Sequence, residues 1–190
     1  MESLKQKILT EGKVLGEDIL KVDCFLNHQI DVKFMEEIGK ELRVRFKDVE
    51  VDKILTVESS GIAIASVAAK YFDYVPVVFA KKATPNTMAE GCWSCEARSF
   101  TKGSVSNLRV SKSFLNKGER ILIVDDFLAY GEAAVALTKM VRRAEAEVVG
   151  VGAVIEKKFQ GGADRLREMG VRVESLACIE KFENGQIIFE

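Results

Sequence analysis

Residues 121–136, Ile-Leu-Ile-Val-Asp-Asp-Phe-Leu-Ala-Tyr-Gly-Glu-Ala-Ala-Val-Ala, constrain the fold more than any other stretch. Ile121 to Val124 are apolar without alternation, the pattern of a strand buried on both faces, and such strands belong to parallel sheets covered by helices. Asp125 and Asp126 end the run, a short loop closes at Gly131, and a helical pattern begins at about Glu132. Strand, acid pair, tight loop and helix N-terminus can together hold a sugar phosphate. Carboxylates accept hydrogen bonds from vicinal hydroxyls. The loop and first helical turn offer backbone N–H groups and the positive end of the helix dipole to a phosphate.

The remaining segments alternate in the same way. Residues 2–10 predict a short helix stopped by Gly12, and 18–30 is aperiodic up to Asp31, a good N-cap. Phe34, Met35, Ile38, Leu42 and Phe46 then fall on one helical face. Strands at 53–57 and 75–80, joined by the polar turn Glu58-Ser-Ser-Gly61 and a helix at 62–72, predict a βαβ unit. Residues 81–112 are too long for an ordinary connection and predict a flap, with Ser99–Lys102 pairing with Asn107–Ser111 across Gly103. After the helix from Glu132 to about Arg143 come a strand at 148–155, a short helix opened by Gly161-Gly162, a strand at 171–179 and a turn at Asn184-Gly185. This order predicts one α/β domain over residues 1–190: an open, mostly parallel twisted sheet flanked by helices, with decorations at both ends.

Composition narrows the partners. A hydrophobic fraction of 47% with 30% charged residues is that of a soluble globular chain, and a net charge of −1 argues against a nucleic-acid binder. No apolar run approaches the roughly 20 residues of a membrane span. The opening Met-Glu-Ser-Leu-Lys-Gln-Lys lacks the apolar stretch of a signal peptide, so a cytoplasmic protein is expected. Cys92-Trp-Ser-Cys95 has metal or redox spacing. Cys24, Cys178 and His28 offer no second pair, so the expectation is loop cysteines in a reducing compartment and no metal site.

In doubly wound sheets ligands bind beyond the carboxyl ends of the strands. Ser59, Ser60 and Gly61, Lys81 and Lys82, Asp125 and Asp126, and Glu156-Lys157-Lys158 all fall there. Each alone has a plain reading as a cap, a turn or solvated charge. Together they suit a phosphorylated sugar carrying a second, polyphosphate group.

The stretch from Val124 to Ala134 resembles the phosphoribosyl pyrophosphate signature of type I phosphoribosyltransferases. Segments 20–31, 58–63, 76–82, 99–102, 154–160 and 172–177 are similar to the bacterial xanthine-specific branch of that family. The resemblance implies transfer of a phosphoribosyl group from phosphoribosyl pyrophosphate (PRPP) to xanthine. It implies Asp125 and Asp126 at the ribose, Ala129, Tyr130, Gly131, Glu132 and Ala133 around the 5′-phosphate, and Ser59, Ser60, Gly61, Lys81 and Lys82 at the pyrophosphate. Leu20, Asn27 and Lys157 would line the base pocket, under a hood from about 1–30 and 156–190. Mg²⁺ would arrive with the diphosphate, no organic cofactor would be held, and the chain would form a homodimer. Another purine, or a regulator built on the same fold, are the competing readings. The regulator needs an N-terminal winged-helix domain for which residues 1–50 leave no room. The family pattern has Asn and Gln where this chain has Tyr130 and Glu132. Tyr130 is tolerable there if it points to solvent, and Glu132 should weaken phosphate binding unless it turns toward its own helix's N–H groups or Lys139.

Overall fold

The computed structural model describes residues 1–16, 18–82, 91–99 and 104–190. Helix α1 (Glu2–Glu11) leads into a small hairpin of β1 (Lys13–Leu15) and β2 (Ile19–Lys21), one π-helical turn (Asp23–Asn27) and helix α2 (Val32–Arg45). Strand β3 (Lys53–Val57), helix α3 (Ser60–Ala69) and strand β4 (Val77–Ala80) form the βαβ unit. A hairpin of β5 (Cys92–Ser99) and β6 (Ser104–Ser111) precedes β7 (Arg120–Leu128) and α4 (Glu132–Arg143). The chain continues through β8 (Glu147–Lys157), α5 (Gly162–Glu168), β9 (Val173–Glu183) and β10 (Gln186–Phe189).

Six strands make the central sheet, in the order β10-β9-β8-β7-β3-β4, parallel except for the β10–β9 hairpin. Side chains alternate across it with period two. Leu122 and Val124 of β7 join one core layer with Leu4, Ile8, Met35, Ile38, Leu42 and Ile64. Ile121 and Ile123 join the other, with Leu137, Met140 and Val141 of α4 and Leu166 of α5. Asp31 caps α2 as expected, its Oδ1 accepting the Phe34 N–H at 3.1 Å. The aperiodic stretch before it resolves into the small hairpin and the π-helical turn, too short for a helical stripe to register. The two chain ends meet beside β9: the Met1 amine donates to the Leu176 carbonyl, and Lys5 Nζ donates to the Glu190 carbonyl at 2.6 Å.

The flap hairpin is displaced from the expected pairing. Its first strand is Cys92–Ser99 rather than Ser99–Lys102, with Cys92 opposite Ser111 and Ser99 opposite Ser104. Residues 100–103, including the expected Gly103 turn, lie outside the described residues. The cause is a period-two stripe of Trp93, Cys95 and Ala97, which packs on the α4 side of the core with Leu108 and Val110. Ser94, Glu96 and Arg98 alternate with that stripe, the period-two pattern of a half-buried strand. Cys92 and Cys95 therefore lie on a strand rather than in a loop, and side chains three apart on a strand point to opposite faces.

Leu42 is fully buried on α2, whereas Val44 on the same helix is 58% exposed. Leu42→Ala should cost about 2–5 kcal/mol, and Val44→Ala no more than about 0.5 kcal/mol, read from urea midpoints.

Candidate active site

Strand β7 does not stop at Val124. It carries the acid pair inside its ladder and runs to Leu128, with Asp125 paired to Ala153 and Phe127 to Ile155 of β8. Neighbouring side chains on a strand diverge, so the two carboxylates face different surroundings. Asp126 Oδ2 accepts a hydrogen bond from Asn27 Nδ2 at 3.1 Å, from the π-helical turn ninety-nine residues earlier. Asp125 Oδ1 accepts the Asp126 N–H at 3.0 Å. It lies only 3.4 Å from where a Cβ would sit on Gly61, and that Cβ would also strike Thr56 Oγ1 at 2.0 Å. Only a glycine lets the start of α3 come this close. Burial, reinforced by the neighbouring charge of Asp126, pushes the Asp125 carboxyl well above the ordinary carboxylate range.

The polar turn sits beside this pair. Glu58 Oε1 accepts the Lys82 N–H at 2.6 Å, tying the turn to the end of β4. The neighbouring lysines separate. Lys81 is held through its main chain by Arg109, and its Nζ rests 5.8 Å from the Phe79 ring centre. Lys82 is exposed, and its charge reaches Asp125. Ser59 stands at the N-cap of α3, but no side chain caps that helix.

The loop after β7 is held from behind. The Ala129 carbonyl accepts the Gly162 N–H at 3.0 Å, and the Tyr130 carbonyl accepts Arg165 Nη1 at 2.7 Å. Gly131 adopts φ 77°, which glycine tolerates, and serves as N-cap of α4 with no side-chain cap. A Cβ on Gly162 would meet Ala129 O at 2.3 Å and Gly131 N at 2.5 Å, so backbone packs on backbone here. With the loop carbonyls engaged toward α5, the first-turn N–H groups of α4 carry the binding capacity of this end. Tyr130 is half-buried rather than turned to solvent. Glu132 turns neither to its own helix nor to Lys139. Its Oε1 pairs with Arg165 Nη1 at 2.5 Å.

Lys157 ends β8, buried, and its Nζ donates to the Asp18 carbonyl at 2.5 Å while lying 5.7 Å from the Phe127 ring centre. Burial lowers its pKa, with the Asp18 charge opposing. Lys158 points away, exposed and paired with Glu190 at 2.6 Å. Leu20 is buried in the core layer that also holds Phe25 and Leu26 of the π-helical turn. The structure thus gathers Asn27, Asp126, Asp125 and Gly61 through direct contacts. Among the described residues, no group of three or more metal-ligating side chains is assembled. Sequence reasoning missed Gly162 and Arg165. The only visible signal was the Gly161-Gly162 pair, which reads as a helix start and carries no mark of the loop it supports.

A family model described as the phosphoribosyl transferase domain matches residues 29–180. Xanthine phosphoribosyltransferase 1 of Clostridium perfringens is 57% identical over 190 residues, covering 100% of both chains. Xanthine phosphoribosyltransferase of Clostridioides difficile is 54% identical over 189 residues, again covering 100% of both. Among solved structures, adenine phosphoribosyltransferase from Rhodothermus marinus superposes with a TM-score of 0.74 at 20% identity, covering 94% of this chain and 100% of that one, a likeness of fold.

The raised Asp125 pKa has a consequence for stability. Above the ordinary value of 3.8 the unfolded chain has released this proton while the folded chain still holds it. Stability therefore falls as pH rises from 3.8 toward the folded-state pKa, and the penalty stays in full above it. Asn keeps an acceptor for the Asp126 N–H and cannot ionise. Asp125→Asn should melt higher than the parent at pH 8, by roughly 2–4 °C per kcal/mol relieved. That gain should fade as pH approaches 3.8, and thermal melts across pH would show it.

Proposed function

The chain belongs to the phosphoribosyl transferase domain family, and on that premise we propose that it joins xanthine to PRPP, giving xanthosine 5′-phosphate and diphosphate. The observation that carries this reading is the Asn27–Asp126 hydrogen bond. It brings a polar amide suited to a purine edge against a carboxylate suited to ribose hydroxyls. Two relatives named for xanthine, each matched over full length, support the choice of base.

In this proposal the 5′-phosphate lies against the first turn of α4, at Ala129, Tyr130, Gly131, Glu132 and Ala133, where main-chain N–H groups and the helix dipole receive it. The diphosphate lies at Ser59, Ser60 and Gly61, against the uncapped start of α3, with Lys81 and Lys82 supplying positive charge. A ring nitrogen of xanthine bonds to C1 of the ribose as the C1–oxygen bond breaks. The electron pair leaves with the diphosphate, and the proton of that nitrogen is released. Positive charge grows on C1 and the ring oxygen, and Asp126 stabilises it across the sugar hydroxyls. Desolvation and the neighbouring Asp126 charge hold the Asp125 pKa well above the ordinary carboxylate range.

Lys157 and Asn27 suit the oxygen that distinguishes xanthine from hypoxanthine: one ammonium and one amide can meet a carbonyl that a site for hypoxanthine would leave unpaired. Leu20 supplies the apolar wall. Xanthine readily loses a ring proton, and a cation beside that edge favours the anion.

The residues present fit Mg²⁺ carried in by the substrate. Asp125 and Asp126 would offer it few oxygens, so most of its ligands would come from the diphosphate and water, and it would supply positive charge to the leaving group. The proposal includes a flap over 81–112 that excludes water, a hood from about 1–30 and 156–190, a homodimer and a cytoplasmic location. No helix among the described residues is long and apolar enough to cross a membrane.

With PRPP and Mg²⁺, diphosphate release should be fastest with xanthine among the purines. Equal or faster turnover of hypoxanthine, guanine or adenine removes the base assignment. Asp126→Ala should lower kcat by about 10²-fold or more without unfolding the protein, checked by steady-state rates beside circular dichroism.

A further inference from the structure

Glu132 is an unexpected residue for the place it occupies. It is the first residue of α4, the helix start assigned above to the 5′-phosphate, and an unpaired carboxylate there would repel a phosphate dianion. Its side chain is 24% exposed against 45% for Arg165, so the acid is the more covered partner of the pair. Arg165 Nη1 bridges two groups of the loop at once, the Glu132 carboxylate at 2.5 Å and the Tyr130 carbonyl at 2.7 Å. Arg165 reaches them from α5, whose first residue, Gly162, already supports Ala129 from behind. A partly exposed ion pair of this kind adds little to folding stability. Its position matters more than its strength: it is anchored on the loop that contacts the donor substrate.

We propose that Arg165 is a positioning residue for the sugar-phosphate donor. It draws the Glu132 carboxylate back toward α5 and cancels its charge, so that the start of α4 stays receptive to the phosphate. Glu132 and Arg165 thereby set donor affinity as a balanced pair, leaving the chemical step to the acid pair on β7. The inference rests on the phosphoribosyl-transfer reading of the site and adds to it a residue outside the signature stretch.

Charge balance and simple bracing of the loop predict opposite signs for one variant. PRPP affinity is measured by equilibrium binding with Mg²⁺ and no base, beside KM and kcat with xanthine. Arg165→Ala should weaken PRPP binding about tenfold while kcat at saturating donor stays within about twofold, as expected when ground-state and transition-state binding change together. Glu132→Gln should tighten PRPP binding severalfold, because the arginine charge is then uncompensated beside the phosphate. The double variant should return to within about threefold of the parent, the sign of coupled neighbours. If both single variants weaken binding, or the double variant is as weak as Arg165→Ala, the pair merely braces the loop and the proposal is overturned. Should Arg165→Ala not fold, Arg165→Gln and the Glu132→Gln sign test decide. A parent protein that binds PRPP but does not favour xanthine refutes the choice of base and leaves the charge test standing. A parent that does not bind PRPP overturns both.

Discussion

The structure depends on a strand with no face left for water. Ile121 to Val124 of β7 are completely buried, with β3 on one side, β8 on the other and a helical layer over each face. Such a strand must sit inside a parallel sheet, and its carboxyl end must open where the neighbouring strands also end. Every group of the candidate site is delivered to that edge. The same strand carries Asp125 and Asp126 as members of its ladder, which fixes the direction of each carboxylate more firmly than a loop would.

Around that edge, close backbone approach does what side chains do elsewhere. Gly61 lets α3 come against Asp125 and Thr56, and Gly162 lets α5 come against the loop from Ala129 to Gly131. The starts of α3 and α4, which follow the adjacent strands β3 and β7, carry no side-chain cap, so their first-turn N–H groups are left for other partners. The start of α2 is closed by Asp31.

The acid pair shows how one sheet makes unlike neighbours of two identical side chains. Desolvation and the charge of Asp126 raise the Asp125 pKa, whereas Asp126 meets the amide of Asn27. The lysines divide similarly. Lys157 is drawn inward to Asp18 and Phe127, and Lys158 is taken outward by Glu190.

Much of this was determined by the sequence. Buried apolar runs, the stripe on α2, the Asp31 cap and the glycine after the acid pair are local patterns, and local patterns specify elements. The first flap strand is Cys92–Ser99 because Trp93, Cys95 and Ala97, an alternating stripe the sequence does carry, pack on the α4 side of the core. Tertiary structure alone decided that Asn27 meets Asp126, that the Lys82 N–H meets Glu58, and that Glu132 answers to Arg165. None of those pairs is close in the sequence. Contacts across 99 and 33 residues leave no periodicity to read, because they follow from how the helices dock on the sheet.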